Sequence, residues 1–381
     1  MKIGTITFHA SHNYGSVLQA YALQTYIEKL GVEENIPIDY KIINLRIPIQ
    51  RKIYAYQNQE EGIQGICKRI LNIPFQNVNK TKYGRFEKFI NERLKLTPKE
   101  YETEESLMKE NFDFDYYVSG SDQLWNIGAV DFSWANYLSF TASKNKISYA
   151  ASFGPKKLNW TEEQKQKITN LLKDYSYLSV REEGSFQNVK TLIGKEPEIL
   201  IDPTALLTKQ QWEGIFSKEP IIKEDYLFFY TLDATSEKVN IVNQVAKKLG
   251  LKVVVSKSFK KYDFINGYTR KYDSGPEEFL NLIKYAKLVI SSSFHGTVFS
   301  ILFHKPFLAI DGAKDFRIAT LLKKMELLDR SVINEVEDIE NKCKNAYEID
   351  FAKAEDILKK EREKSRVFLK KALKIGDKND M

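Results

Sequence analysis

Residues 288–310 read LVISSSFHGTVFSILFHKPFLAI, and this stretch decides the fold. A short apolar run suited to a buried strand gives way to Ser291, Ser292 and Ser293. Phe294, His295 and Gly296 then lead into an apolar run of helical length, which ends before Lys305 and Pro306. A strand that passes through a short polar loop into a helix is the building unit of parallel α/β sheets. In open sheets of this kind ligands bind beyond the carboxyl ends of the strands. There the following helix presents unpaired N–H groups to anions. A chain with only four histidines places one of them at that point.

The same alphabet recurs on both sides of the stretch. Residues 2–8 alternate as a strand, and residues 16–30 carry apolar side chains at helical spacing, with Gly31 expected to cap the helix. PIDYKIINL supplies a second strand. Residues 47–110 are rich in Lys, Glu, Gln, Tyr and Phe and read as a helical insert. FDFDYYVSGSDQLWN then resumes the sheet, followed by KISYAASFG, a helix over 161–174, YLSVRE and PEILIDPTALL. After an aperiodic stretch at 208–224 the pattern restarts: YLFFYTL as strand, 236–249 as helix ending at Gly250, LKVVVSK as strand and 277–286 as helix. The expected class is therefore α/β with two Rossmann-like domains. Residues 1–215 would form the first and 216–335 the second. Residues 336–381 would be a charged helical segment packing back on the first domain or, alternatively, docking on a membrane surface.

Totals prune the functions. Lys plus Arg exceed Asp plus Glu by 58 to 51, a net charge of +7, with both signs scattered along the chain. This is a mild anion preference and excludes a dedicated nucleic-acid binder. Only Cys67 and Cys343 occur, so neither a disulfide framework nor a zinc site is indicated. The first residues lack the apolar core of a signal peptide, and no run approaches the roughly 20 apolar residues that span a bilayer. A cytoplasmic protein is expected, working if anywhere at the inner face of the membrane. Dinucleotide, P-loop and nucleophile-elbow glycine motifs are absent. The DFD at Asp113–Asp115 sits within an alternating strand and is set aside as a metal motif.

Four places carry candidate chemistry. At the opening stretch, hydroxyls, backbone donors and the helix dipole converge on a phosphate or carboxylate, and His295 adds a charge or a proton. The bland alternative is that the serines only cap a helix. The first loop, HASHNYGS, gathers His9, His12, Asn13 and Tyr14, polar groups that suit a hydroxylated ligand, although Asn and Gly also serve a turn for its own geometry. The third loop, SGSDQLWN, places Gly120, Asp122, Gln123, Trp125 and Asn126 at one strand end. An aromatic face beside amides and a carboxylate suits a sugar ring, while Asp122 could equally cap a helix. Arg181 and Arg317 each follow a strand and are suited either to an anion or to a salt bridge.

Seven motifs in order over roughly residues 1–330 resemble the polysaccharide pyruvyl transferase family: NYGSVLQAYAL, YVSGSDQLWN, YAASFG, SVREEGS, IDPTALL, SSSFHGTVFSILFHKPF and DFRIATLL. The resemblance implies a fold similar to GT-B glycosyltransferases, two Rossmann-like domains facing a cleft. It also implies transfer of pyruvate from phosphoenolpyruvate to a hexose of a cell-surface glycan, or of its lipid-linked precursor, forming a ketal. No cofactor or metal is implied. His295 would act as proton donor or phosphate ligand, with Asp122 as the rival proton carrier. Arg181 and Arg317 would clamp the donor, assisted by Ser291, Ser292, Ser293 and Gly296. The first and third loops would present the acceptor. A nucleotide-sugar glycosyltransferase of the same architecture is the alternative.

Overall fold

The computed structural model describes residues 1–57, 62, 73–154, 159–257 and 261–376. The chain divides into two compact units. The first comprises Met1–Ala55, Ile90–Leu207 and the described part of Lys359–Met381. The second comprises the described part of Tyr56–Phe89 together with Thr208–Leu358.

The first unit is built on six parallel strands: β1 (Lys2–Ile6), β2 (Asp39–Ile42), β3 (Tyr116–Asp122), β4 (Lys146–Ala151), β5 (Ser179–Val180) and β6 (Glu198–Ile199). Their spatial order is β2-β1-β3-β4-β5-β6. The chain leaves β1 toward β2 on one side, then crosses back to β3 on the other. The direction of travel therefore switches between β1 and β3, and there the loops that follow these two strands part and leave a crevice. Helix Tyr14–Glu33 follows β1 and is buried through most of its length. It runs straight through Gly31, where a cap was expected. A Cβ at Gly31 would press on Ile38, so close packing, not helix termination, selects the glycine. A buried cluster of Ile6, Phe8, Tyr117, Leu124, Trp125, Tyr137, Phe153 and Tyr175 fills one face of the sheet.

The second unit has β7 (Tyr226–Tyr230), β8 (Lys252–Val255), β9 (Thr269–Arg270), β10 (Leu288–Ser291), β11 (Phe307–Ile310) and β12 (Ser331–Val332), all pairing in parallel. The spatial order is β12-β11-β10-β7-β8-β9. Renumbered from β7 and read from the β9 edge, this is 3-2-1-4-5-6, the order of dinucleotide-binding sheets, with its switch between β7 and β10. Leu227, Phe229, Val253, Val255, Leu288, Ile290, Leu308, Ile310 and Val332 are the strands' share of the core. Phe75 and Val78, from the start of the insert, pack against it.

The sequence expectation differs from these units in two ways. The insert is not an appendage of the first domain, because its helix Gln76–Arg93 enters the second unit's core through Val78, and Tyr56–Phe89 counts with that unit. The segment after β12 is divided: helix Val336–Lys344 buries Ile339 and Cys343 in the second unit, and the units part at Leu358 and Lys359, within helix Phe351–Ala372. Beyond Lys359 that helix belongs to the first unit. Arg362 Nε donates to Ala205 O at 2.8 Å, Arg366 pairs with Glu33 and Glu34, and Phe368 packs on Tyr149. Cys67 lies outside the described residues. Among those described, no helix is long and apolar enough to cross a membrane.

Trp125 is fully buried, stacked at 5.6 Å on Tyr137 and packed on Phe153 and Tyr175. Trp125→Ala is therefore expected to destabilise the protein by about 3–5 kcal/mol, read from urea unfolding. A loss within about 0.5 kcal/mol would show that the ring is not part of the core.

Candidate functional site

In the first unit the structure brings the first and third loops together at the switch between β1 and β3. Gln19, one turn into the first helix, links them. Its Nε2 donates to Thr7 Oγ1 at 2.7 Å, and its Oε1 accepts the Ser121 N–H at 3.0 Å. Ser16 Oγ donates to Asp122 Oδ2 at 2.7 Å. Gly120 lies so close to Tyr149 O that a Cβ would collide with it, and its φ of +152° is one that side chains rarely adopt. Sequence reasoning found the loops but not Ser16 or Gln19, whose signal is their place in the first turns after β1.

The individual assignments within these loops change. Trp125 is withdrawn from ligand stacking because its ring belongs to the core. His9 is fully buried, with Nδ1 3.2 Å from Thr7 O and Nε2 3.0 Å from Asn44 Oδ1, so it holds the loop and does not face a ligand. Asn13 caps the first helix by accepting the Gly15 N–H at 3.0 Å, and Tyr14 is buried in its first turn. His12 is half-buried beside the ring of Tyr54. Gln123 and Asn126 remain half-buried at the mouth of the third loop, 3.4 Å from each other. The DFD motif lies at the opposite, amino end of the sheet, where Asp113 and Asp115 bind Lys2.

Arg181 is not a donor clamp. Its guanidinium is 2 % exposed and faces three carboxylates: Asp202 at 2.8 Å, Glu182 at 3.5 Å and Asp122 at 3.6 Å. Burial works to lower its pKa, but Asp202, Asp122 and Glu182 reverse this and raise it, so the charge is permanent. Asp202 is itself fixed by the backbone and hydroxyl of Thr204 at 2.9 and 2.6 Å. The arrangement orients Asp122, whose side chain is 9 % exposed, at the crevice.

In the second unit the residues of the opening stretch meet at the switch between β7 and β10. Ser291 Oγ donates to Tyr230 O at 2.7 Å and accepts the Ser293 N–H at 2.9 Å. The hydroxyls of Ser292 and Thr231 meet at 2.6 Å, joining the two loops that flank the switch. Helix Phe294–Leu302 begins there, and among the described residues Ser293 at its N-cap forms no side-chain capping bond. The first-turn N–H groups are thus not taken up by the capping hydroxyl, as the bland reading of the serines required. His295 is the second residue of this helix and is buried, its ring edge-on to Phe294. Gly296 sits against Ser291 Oγ so closely that any Cβ would overlap it. Thr231 escaped sequence reasoning because a lone threonine at a strand end carries no motif.

Arg317 is likewise already engaged. It forks onto Asp315, Nε to Oδ1 at 3.1 Å and Nη2 to Oδ2 at 2.6 Å, while Asp315 caps the helix by accepting the Arg317 N–H. His304 lies at the far end of helix Phe294–Leu302, stacked on Phe351 and 3.7 Å from Glu355, with burial pushing its pKa down. Among the described residues no three His, Cys, Asp or Glu side chains are placed to hold a metal ion.

The model of the family described as polysaccharide pyruvyl transferase matches residues 13–313, and the chain belongs to that family. No curated protein matches the sequence. Solved structures match it nearly end to end. A UDP-GlcNAc 2-epimerase from Neisseria meningitidis, bound to UDP-GlcNAc, is 12% identical with a TM-score of 0.52, covering 98% of this chain and 99% of its own. S. aureus MnaA with UDP is 11% identical with a TM-score of 0.53, covering 100% and 98%. A glycosyltransferase of avilamycin A biosynthesis is 10% identical with a TM-score of 0.52, covering 98% of each chain. At these identities the likeness is one of fold, the GT-B type with two Rossmann-like units.

These matches stand against the expectation of phosphoenolpyruvate as partner and do not bear out pyruvyl transfer as the reaction. Of the three solved structures above, one is named as a UDP-GlcNAc 2-epimerase and one as a glycosyltransferase, and two hold UDP-GlcNAc or UDP. Within the chain, both arginines assigned to clamp that donor are bound to carboxylates of the protein.

The Asp315–Arg317 pair gives a pH test. Burial would raise the pKa of Asp315, but the hydrogen bonds and charge of Arg317 outweigh it and hold the carboxyl below the usual range. A depressed folded-state pKa contributes stability above the unfolded value of about 4, which is lost as pH falls through the folded value. Asp315→Asn keeps a capping oxygen and loses the ion pair. It should be about 1 kcal/mol less stable at pH 7, with a narrower gap at a second pH below the unfolded value of about 4. A gap that stays constant in urea melts at both pH values would refute the pairing.

Proposed function

We propose that the protein is a GT-B-type transferase that binds a nucleoside diphosphate sugar on its second unit and transfers the sugar to a hydroxylated acceptor. One observation carries the reading: helix Phe294–Leu302 starts at the switch of a 3-2-1-4-5-6 sheet with its capping serine uncommitted to the first turn. Backbone N–H groups aimed from a helix N-terminus, reinforced by the macrodipole, suit a diphosphate.

The chemistry follows from where charge moves. As the bond between the sugar's anomeric carbon and the diphosphate oxygen breaks, the electron pair goes to the diphosphate. Donors fixed around that group stabilise it more in the transition state than in the bound donor. The Ser292 and Thr231 hydroxyls supply such donors, and His295 in the first turn adds a ring N–H. Gly296 permits the helix to approach β10 closely enough for its N-terminus to lie at the strand end. In the first unit, Asp122 is held in place by Ser16 and Arg181.

Calorimetric titration with UDP, UDP-N-acetylglucosamine and phosphoenolpyruvate tests the reading. The nucleotides should bind, phosphoenolpyruvate should not displace them, and Gly296→Ala should weaken UDP by about tenfold or more, roughly 1.4 kcal/mol. Binding of phosphoenolpyruvate with no response to either nucleotide would overturn it.

A further inference from the structure

Gln50 and Asp131 belong neither to the sequence motifs nor to the sites above, yet they join the loops of the first unit's crevice. Helix Pro48–Tyr54 follows β2, Ser11 lies in the loop after β1, and Asp131 lies in the loop after β3. These three strands are adjacent and parallel, so the segments that leave them gather at the carboxyl edge of the sheet. There Ser11 Oγ donates to Asp131 Oδ2 and accepts from Gln50 Nε2, both at 2.9 Å, and Gln50 Nε2 reaches the same carboxylate oxygen at 3.5 Å. Ser11 and Gln50 are buried, whereas Asp131 is half-buried. One turn beyond Gln50, the half-buried Tyr54 sets its ring 5.8 Å from that of His12.

Asp131 differs from Asp122 in what holds it. Asp122 faces the Arg181 guanidinium at 3.6 Å, so its charge is offset. Asp131 meets a hydroxyl and an amide, both neutral and both on Oδ2. Among the described residues no cation pairs with it and none donates to its Oδ1. Neutral donors orient a carboxylate without cancelling its charge, and each of its oxygens has two acceptor positions. The second oxygen is thereby left as a strong acceptor. A sugar hydroxyl satisfies it with a short, charge-assisted bond and brings no charge of its own. Burial, followed by Asp131, pushes the Tyr54 phenol above its ordinary pKa, so its ring stays neutral beside the carboxylate.

We infer that Asp131, aligned by Ser11 and Gln50 and neighboured by the rings of Tyr54 and His12, is a saccharide-binding subsite of the first unit that accepts hydrogen bonds from sugar hydroxyls. The inference rests on the reading of the protein as a transferase with a hydroxylated acceptor, and it names the class of that acceptor. A carboxylate at the ring repels acidic sugars, so the residue bound there is a neutral pyranose, whose apolar face suits an aromatic ring.

The test is ligand-observed NMR titration of the full chain with methyl glucoside, methyl galactoside, methyl mannoside, methyl N-acetylglucosaminide and methyl glucuronide. It is run in wild type, Asp131→Ala and Asp131→Asn, beside calorimetric titration with UDP and thermal melts that check folding. At least one neutral glycoside should bind, and Asp131→Ala should weaken it by about tenfold. Asp131→Asn keeps the shape and loses the charge, so it carries the test if the alanine variant does not fold. It should weaken the neutral glycoside by about fivefold and narrow the preference for glucoside over glucuronide, which a merely structural role would leave unmoved. UDP should bind both variants as it binds wild type. Wild-type protein that binds no neutral glycoside, glucuronide bound as well as glucoside, or folded variants that bind glycosides as wild type does would each overturn the subsite. Glycosides bound through Asp131 by a protein that does not bind UDP would uphold the subsite and sink the nucleotide reading.

Discussion

Parallel pairing of β7 with β10 is the constraint on which the second unit's chemistry depends. The chain leaves β7 for β8 and leaves β10 for β11, so the loops after these strands diverge where the strands themselves are adjacent. Everything assigned to the site follows from that divergence. It places Thr231 against Ser292 and sets the start of helix Phe294–Leu302 at the crevice. Gly296 makes the geometry available, because any larger residue would push the helix off Ser291.

The first unit solves a different problem with the same architecture. Its crevice lies between β1 and β3, and the polar network beneath it is organised by one arginine among three carboxylates. A buried arginine removed from water is tolerable only when its partners are fixed. Here Asp202 is fixed by Thr204 and Asp122 by Ser16. The consequence for function is that Arg181 acts through Asp122 and not on a ligand. An exposed arginine could clamp an incoming anion; one enclosed by carboxylates cannot without breaking the ion pairs that make its burial possible.

The class of fold was legible because strand and helix periods alternate through both halves. The loops of the site were legible because carboxyl strand ends are where such sheets bind. Individual roles were less so. Trp125 and His9 carry the side chains expected of a sugar site, yet a one-dimensional pattern does not say which face of a loop turns inward, and both turn into the core. For Arg181 and Arg317 the sequence left an anion and a salt bridge open, because the carboxylates that Arg181 meets, Asp122 and Asp202, lie far from it in the chain. The insert hid its part for a related reason: Phe75 and Val78 mark a packed face only once the second unit is present to pack against.

The measurement that bears most directly on the account is a crystal structure of the protein with UDP bound. The account predicts the diphosphate at the first turn of helix Phe294–Leu302, within hydrogen-bonding reach of the Ser292 and Thr231 hydroxyls. Nucleotide seated instead at the switch of the first unit, beside Asp122 and Gln123, would contradict it.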